Sequence, residues 1–170
     1  MGRRQRERIA DRRPRRPQGS LRHHGETALI ALDTNILVYA HRQEFSHHVA
    51  ALSALRDLAE GEAQWAIPVF VLAEFVRIVT HPSVLRPPST PGLAIAALDA
   101  LVMHPGAVVL NPGDRFWEFF REAVIEERAT GNLTFDAQIV AVCREQGVDE
   151  ILTEDRDFAR FSGFNVRRLR

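Results

Sequence analysis

Several residue types and patterns that define common protein classes are missing from this chain. Lysine is absent from its 170 residues, and Cys143 is the single cysteine, so no internal disulfide can form. No apolar run approaches the length of about 18 residues that crosses a bilayer. The charged N-terminus is not followed by an apolar signal segment. We therefore expect a cytoplasmic protein without a membrane anchor.

Motifs for several kinds of phosphate and metal chemistry are missing as well. Neither GxxxxGK[ST] nor GxGxxG occurs, so nothing indicates a nucleotide cofactor. The histidines are scattered without HxxxH spacing on one helix, which argues against zinc. A DxD phosphatase would need a second aspartate at Asn35, two residues after Asp33, and a receiver-like signalling domain would need a late lysine. All of these classes are therefore disfavoured.

The basic charge is concentrated at the N-terminus. Residues 1–22 contain nine arginines and two acids, a net charge of +7, whereas residues 23–170 have a net charge of −7. Residues 1–26 contain almost no large apolar side chains with which to form a core. They are either a disordered basic arm that binds nucleic acid or the product of a start codon assigned upstream of the natural one. We predict that the folded domain spans 27–170.

Beyond the arm, apolar runs of strand length alternate with helical patterns. The predicted strands are 28–32, 65–67, 107–110, 150–153 and 164–169. The predicted helices are 36–42, 48–60, 68–80, 92–103, 116–127 and 135–146, the last of them capped by Thr134. The strands are apolar throughout rather than alternating, which is typical of a parallel sheet covered on both faces. The pattern predicts an α/β fold with a central parallel sheet of four or five strands.

Two carboxylates follow predicted strands closely. Asp33 comes directly after the strand at 28–32, and Asp155 comes two residues after the strand at 150–153. The carboxyl ends of parallel strands meet at one edge of the sheet, which is where such folds bind their ligands. Polar residues are common in loops after strands, so a coincidental placement stays open for this pair.

Two further carboxylates lie within predicted helices. Glu74 is in the middle of VLAEFVRIV, where an acid without a partner is unusual. A surface ion pair with Arg77, three residues further on, is the alternative explanation. Asp136 lies in the first turn of its helix, where an acid also complements the helix dipole. Asp99 is a comparable acid, but no strand end lies near it, and we expect only a local role.

Taken together, Asp33, Glu74, Asp136 and Asp155 predict a metal site. Four carboxylates that converge at one sheet edge would repel one another without a counter-charge. Ligands that are all oxygen favour a hard divalent cation, Mg²⁺ or Mn²⁺. A pair of such ions would suit in-line attack on a phosphodiester. The sequence leaves open whether one ion or two would bind.

Four segments of the chain resemble those of a known family. ALDTNILVYA resembles the opening segment of a PIN domain, and LTEDRDF resembles its closing T-x-D-x-D-F segment. VLAEFVRIV and LTFDAQIVAVCREQGVDEILT fit the segments with the family's second and third acids. The resemblance covers about residues 28–169. In its compact size and single domain, the chain most resembles the VapC toxins of bacterial toxin–antitoxin pairs. It implies a PIN-like three-layer α/β fold.

The resemblance also implies a function and a set of site residues. Family members of this kind are Mg²⁺-dependent endoribonucleases, with Mn²⁺ as the alternative ion. The metal-binding and catalytic roles carry over to Asp33, Glu74, Asp136 and Asp155, and supporting roles to Thr34, Asn35, Thr153 and Asp157. RNA is the implied substrate, a VapB-like antitoxin the implied partner, and a homodimer the implied assembly. The alternative function is a PIN-fold RNA-binding or interaction protein without a toxin role.

Overall fold

The computed structural model describes residues 29–170, so the basic arm predicted at 1–26 lies outside the described residues. Five strands and six α-helices alternate along this part of the chain. The strands are β1 (Ile30–Leu32), β2 (Trp65–Pro68), β3 (Ala107–Leu110), β4 (Glu150–Leu152) and β5 (Asn165–Arg167). The helices are α1 (Thr34–His41), α2 (His48–Glu60), α3 (Val69–Val79), α4 (Pro91–Val102), α5 (Phe116–Glu126) and α6 (Leu133–Glu145). A short 3₁₀ helix spans Asp157–Arg160.

The five strands form one parallel sheet in the order β3-β2-β1-β4-β5, as the apolar runs predict. β1 is central and fully buried, and its Ile30 pairs with Trp65 of β2 on one side and with Glu150 of β4 on the other. β2 and β3 are added in turn on one side of β1, and the chain then crosses back and adds β4 on the other side of β1. The connections at the carboxyl ends of β1 and β4 therefore diverge, and this is the position where open α/β sheets bind ligands.

The helices cover both faces of the sheet. Connections between parallel strands are right-handed, so the helices between β1 and β3 lie on one face and those between β3 and β4 on the other. In agreement, α1 contacts α2 and α3, α3 contacts α4, and α5 packs along α6. α3 and α6 also contact each other, although they belong to opposite layers. Within residues 29–170, no helix is both long enough and apolar enough to span a membrane.

The element types predicted from the sequence are confirmed, although most of their bounds differ by one or two residues and two helix starts differ in their capping. Pro68 is the N-cap of α3 rather than its first helical residue, and it is also the last residue of β2, where it pairs with Leu110 of β3. Thr134 does not cap α6, because that helix already begins at Leu133. The Thr134 hydroxyl instead donates to the Gly131 carbonyl across 2.6 Å, in the turn that leads into the helix.

The acidic segment after β4 is anchored in the core by an aromatic residue. Phe158 is fully buried, and its ring packs against those of Phe161 and Phe164 at centroid distances of 6.4 and 6.3 Å. Burial of a phenylalanine side chain stabilises a fold by about 1.5–3 kcal/mol. That anchor fixes the position of the turn whose exposed side carries Asp155 and Asp157.

Candidate metal centre

Asp33 is held at the end of β1 by three hydrogen bonds. It is the N-cap of α1, and its Oδ1 accepts from the backbone N–H of Thr34 at 2.6 Å. Its Oδ2 accepts from Asn35 Nδ2 at 2.6 Å and from the Thr153 hydroxyl at 2.5 Å. Only 5% of Asp33 is exposed. Its orientation is therefore fixed, and Oδ1 keeps a lone pair free for a further ligand.

The supporting residues Asn35 and Thr153 connect β1 to the acidic turn after β4. Asn35 Nδ2 donates to the Thr153 hydroxyl oxygen at 2.9 Å, and Asn35 Oδ1 accepts from the backbone N–H of Glu154 at 3.3 Å. The same Thr153 oxygen accepts from the backbone N–H of Asp155 at 2.9 Å. These contacts set the distance between Asp33 and the turn that carries Asp155.

Glu74 reaches the same edge of the sheet from α3. Its Oε2 accepts from the Thr34 hydroxyl at 2.9 Å, and its Oε1 accepts from Arg77 Nη2 at 2.9 Å. The ion pair with Arg77, which was the alternative explanation for this acid, is thus present. The ion pair does not direct Glu74 away from the other acids, because the Glu74 carboxylate also accepts a hydrogen bond from Thr34 at the start of α1.

Three other carboxylates form the tightest group of acids at this edge. Asp136 on α6 and Asp155 and Asp157 after β4 each place one oxygen so that all three lie within 4.8 Å of one another. Asp155 Oδ1 also accepts from the backbone N–H of Asp157 at 2.9 Å, which closes the turn and brings the two side chains together. Asp157, which the sequence indicated only as a supporting residue, is therefore as close to a common centre as Asp136 and Asp155.

The electrostatics show that these acids act on one another. The pKa of Asp136 is raised from 3.8 to about 7, mainly by burial and further by the negative charges of its four neighbours Asp33, Asp155, Asp157 and Glu74. Burial likewise raises the pKa of Asp33 to about 6, against the lowering effect of its hydrogen bonds from Thr153 and Thr34. Apart from the pair of Glu74 with Arg77, the cleft thus concentrates negative charge that no cationic side chain on its wall neutralises. A divalent cation would supply the missing counter-charge.

The acids line one open cleft of about 350 Å³. It contains all four residues of the predicted metal-binding set, together with Thr34, Asn35 and Asp157. Thr153 is buried beneath Asp33 and Asn35 rather than on the cleft wall. Six further lining residues were not assigned to the site from the sequence: Val38, Tyr39, Arg77, Ile78, Asn132 and Phe135. Helical spacing could have indicated Tyr39, which lies four residues after Asn35. The same spacing did indicate Arg77, but only as an ion-pair partner of Glu74.

The donor set fits a hard cation. Its ligand atoms are carboxylate oxygens, which Mg²⁺ and Mn²⁺ prefer, and no cysteine or histidine lines the cleft within the described residues. Asp136, Asp155 and Asp157 are close enough to share an ion as they stand. Asp33 lies beside them with its free lone pair, and Glu74 is engaged by Thr34 and Arg77. Which of these residues bind metal stays a prediction.

Comparison with known proteins agrees with this geometry. The PIN domain family model matches residues 30–163, which is most of the chain. Ribonuclease VapC43 of Mycobacterium tuberculosis is 39% identical over 142 residues, covering 84% of this chain and 92% of the relative. Ribonuclease VapC31 of the same species is 30% identical and covers 84% of this chain and 98% of the relative. The chain therefore belongs to the PIN-domain family, in the group of the VapC ribonucleases.

Solved structures show the same fold at low sequence identity. VapBC2 from Rickettsia felis, bound to a DNA fragment from its promoter, superimposes with a TM-score of 0.62 at 20% identity and covers 84% of this chain and 99% of that one. VapC20 of Mycobacterium tuberculosis, a toxin that cleaves the sarcin–ricin loop, gives a TM-score of 0.60 at 21% identity and covers 81% and 98%. Their likeness confirms the predicted three-layer α/β fold.

Proposed function

We propose that this chain is a metal-dependent endoribonuclease and the toxin of a VapBC-type toxin–antitoxin pair, acting in the cytoplasm. The observation that carries the proposal is the convergence of acids from β1, α3, α6 and the turn after β4 on one cleft. Burial and four neighbouring carboxylates raise the pKa of Asp136 to about 7, so the cleft has a strong electrostatic demand for a cation. Relatives named as ribonucleases support RNA as the substrate.

Asp136, Asp155 and Asp157 would hold the ion, with the free lone pair of Asp33 directed to the same centre. Mg²⁺ is the proposed ion, and Mn²⁺ would substitute for it because both prefer oxygen ligands. When bound, such an ion lowers the pKa of a water molecule and stabilises the charge that develops on the scissile phosphate. Glu74 completes the set of four acids and keeps Arg77 at the cleft wall through their 2.9 Å ion pair.

The other residues of the cleft would position the acids and the substrate. Thr34, Asn35 and Thr153 hold Asp33 in one orientation through hydrogen bonds of 2.5–2.6 Å. Arg77 is the one cationic side chain on the cleft wall within residues 29–170. It is 62% exposed and can approach an RNA phosphate that enters beside the acids.

The proposed assembly includes an antitoxin and a second copy of the chain. The VapBC2 structure that shares the fold is a toxin–antitoxin complex by its name, and we propose a VapB-like partner here. For the homodimer we propose α5 as a contact surface, since Phe116 stacks on Phe120 and Trp117 is 68% exposed. We further propose that 27–170 forms the nuclease domain, to which 1–26 adds a basic arm.

The test is cleavage of a mixed RNA pool by purified protein in Mg²⁺, in Mn²⁺ and in EDTA, with Asp33→Asn beside the wild type. Asp99→Asn is the matched control, because Asp99 is an exposed acid on α4 outside the cleft. We expect discrete fragments that require metal, persist in Asp99→Asn and disappear in Asp33→Asn. Intact RNA from folded, inhibitor-free wild type would instead favour the RNA-binding or interaction protein. Equal cleavage by Asp33→Asn would reject the proposed acids.

A further inference from the structure

A small apolar trough opens directly beside the acidic cleft. It lies where α3 and α6 meet and has a volume of about 210 Å³. Its walls are formed by Phe70, Ala73, Glu74 and Arg77 of α3 and by Phe135, Gln138 and Ile139 of α6. Both sets follow the i, i+3, i+4 spacing of one helix face. Glu74, Arg77 and Phe135 also line the cleft, so the two spaces share a wall.

The trough combines one exposed aromatic ring with one unpaired amide. Phe135 is 55% exposed and directly precedes the half-buried acid Asp136. Within residues 29–170, no other aromatic ring stacks on it, whereas Phe70 at the other end of the trough packs on Phe116 at 5.5 Å. The Gln138 side chain makes no hydrogen bond within the same residues, so both its donor and its acceptor are free.

We propose that this trough is a nucleobase subsite, in which one base next to the cleaved bond stacks on Phe135. The inference rests on the proposed ribonuclease function. Single-stranded RNA is recognised by stacking of unpaired bases on aromatic side chains and by hydrogen bonds to base edges. The trough offers both, with Phe135 as the stacking surface and Gln138 as the hydrogen-bonding group.

Size and charge support a base rather than a larger ligand. The volume is below the range of roughly 300–1,000 Å³ that is typical of sites for drug-sized molecules, so the trough suits a single ring system. The charged side chains of its wall are the paired Glu74 and Arg77, at the border with the cleft. A nucleotide can therefore place its phosphate near Arg77 and the acids while its uncharged base occupies the apolar space.

The test measures binding and cleavage separately. Fluorescence anisotropy in EDTA measures the binding of fluorescein-labelled single-stranded RNAs of eight nucleotides. One RNA is made for each base, and a further series has an abasic position at each site in turn. We expect Phe135→Ala to weaken binding about 5- to 160-fold, which is the contribution of one base stacked on one ring. Phe135→Trp should retain binding, and the Phe135→Ala defect should vanish on the RNA whose abasic position removes the stacked base.

Cleavage in Mg²⁺ is mapped by sequencing the ends from a random RNA pool. We expect Gln138→Leu to relax the preference at one position beside the cut, while Leu93→Ala, a change at a 61% exposed residue of α4, leaves the map unchanged. If the wild type cleaves and Phe135→Ala has unaltered binding and an unaltered map, the subsite is wrong and the ribonuclease stands. If RNA binding by the wild type depends on Phe135 but the wild type cleaves no RNA, the subsite proposal is supported and the proposed ribonuclease function is wrong.

Two further outcomes would overturn the subsite. If Phe135→Ala leaves RNA binding intact but abolishes dimerisation or binding of the purified antitoxin, the trough is a protein contact. If the wild type neither binds nor cleaves any of these RNAs, the subsite and the ribonuclease are both wrong.

Discussion

The Thr153 hydroxyl donates to Asp33 Oδ2 across 2.5 Å and so joins the carboxyl ends of β4 and β1, two segments that are 120 residues apart in sequence. Both residues are buried. The same hydroxyl oxygen accepts from the backbone N–H of Asp155. A single side chain therefore positions two of the acids, and it does so through the sheet rather than through a bound cation.

Replacement of Thr153 by valine should weaken both the fold and the site. Valine keeps the shape but leaves Asp33 Oδ2 and the N–H of Asp155 each without one partner, which should cost about 1–3 kcal/mol of unfolding free energy. Because the Thr153 hydrogen bond lowers the pKa of Asp33, that pKa should also rise. Urea unfolding in EDTA measures the first effect. Thr153→Ser keeps the hydroxyl and is the control; equal stability of the two variants would contradict the prediction.

The metal-free protein should lose stability as the pH rises. The pKa of Asp33 is about 6 in the folded chain against 3.8 ordinarily, mainly because the carboxyl is buried. The folded chain thus holds this proton more tightly than the unfolded chain, and its stabilising effect, fully present below pH 4, is lost as the pH passes through about 6. At about 1.4 kcal/mol per unit, the loss is at most about 3 kcal/mol. Asp136 acts in the same direction through about pH 7.

Urea unfolding of wild type and Asp33→Asn in EDTA, at intervals between pH 4 and pH 8, isolates the Asp33 contribution. Asparagine cannot ionise, so the variant should gain stability relative to the wild type as the pH rises. The difference between the two unfolding free energies should change most between pH 4 and pH 7. A difference that is independent of pH would show that Asp33 does not titrate in this way.

The arrangement of Asp33 and Asp155 was predictable because both depend on local rules. Each follows an apolar strand, and parallel strands bring their carboxyl ends to one edge. The position of Asp157 was not predictable in the same way, since it depends on a turn closed by its own N–H and Asp155 Oδ1. Hydrophobic periodicity contains no information about such turns. Phe135 was missed because the trough exists only where α3 meets α6, a contact between distant segments.

Removal of the Asp136 charge should have opposite effects with and without metal. In EDTA at pH 8, Asp136→Asn relieves repulsion from Asp33, Asp155, Asp157 and Glu74, so the variant should be more stable than the wild type, by about 1 kcal/mol after allowance for solvent screening. In millimolar Mg²⁺ the wild type should gain more stability than the variant, because the variant has lost a ligand.

Thermal unfolding with a titration of Mg²⁺ measures both effects of Asp136→Asn in one experiment. Asp99→Asn is the control for loss of an acid from a helix outside the cleft, and it should respond to Mg²⁺ as the wild type does. An equal response of wild type and Asp136→Asn to Mg²⁺ would remove Asp136 from the proposed ligands.

Truncation of Phe158 should show how far the metal centre depends on the core beneath it. Phe158 is fully buried against Phe161 and Phe164, so Phe158→Ala should cost about 3–5 kcal/mol of unfolding free energy. Phe135→Ala, at an exposed phenylalanine, should change it by less than about 0.5 kcal/mol. Urea unfolding compares the two variants directly.

The Phe158 anchor should also govern metal affinity, because the 3₁₀ helix that begins at Asp157 is fixed by this ring. We expect calorimetric titration with Mn²⁺ to show weaker binding by Phe158→Ala, under conditions in which circular dichroism shows the variant to be folded. Phe158→Leu refills most of the space and should restore affinity. If folded Phe158→Ala binds Mn²⁺ as tightly as the wild type, the acidic turn holds its geometry through its own hydrogen bonds, and the core contributes stability alone.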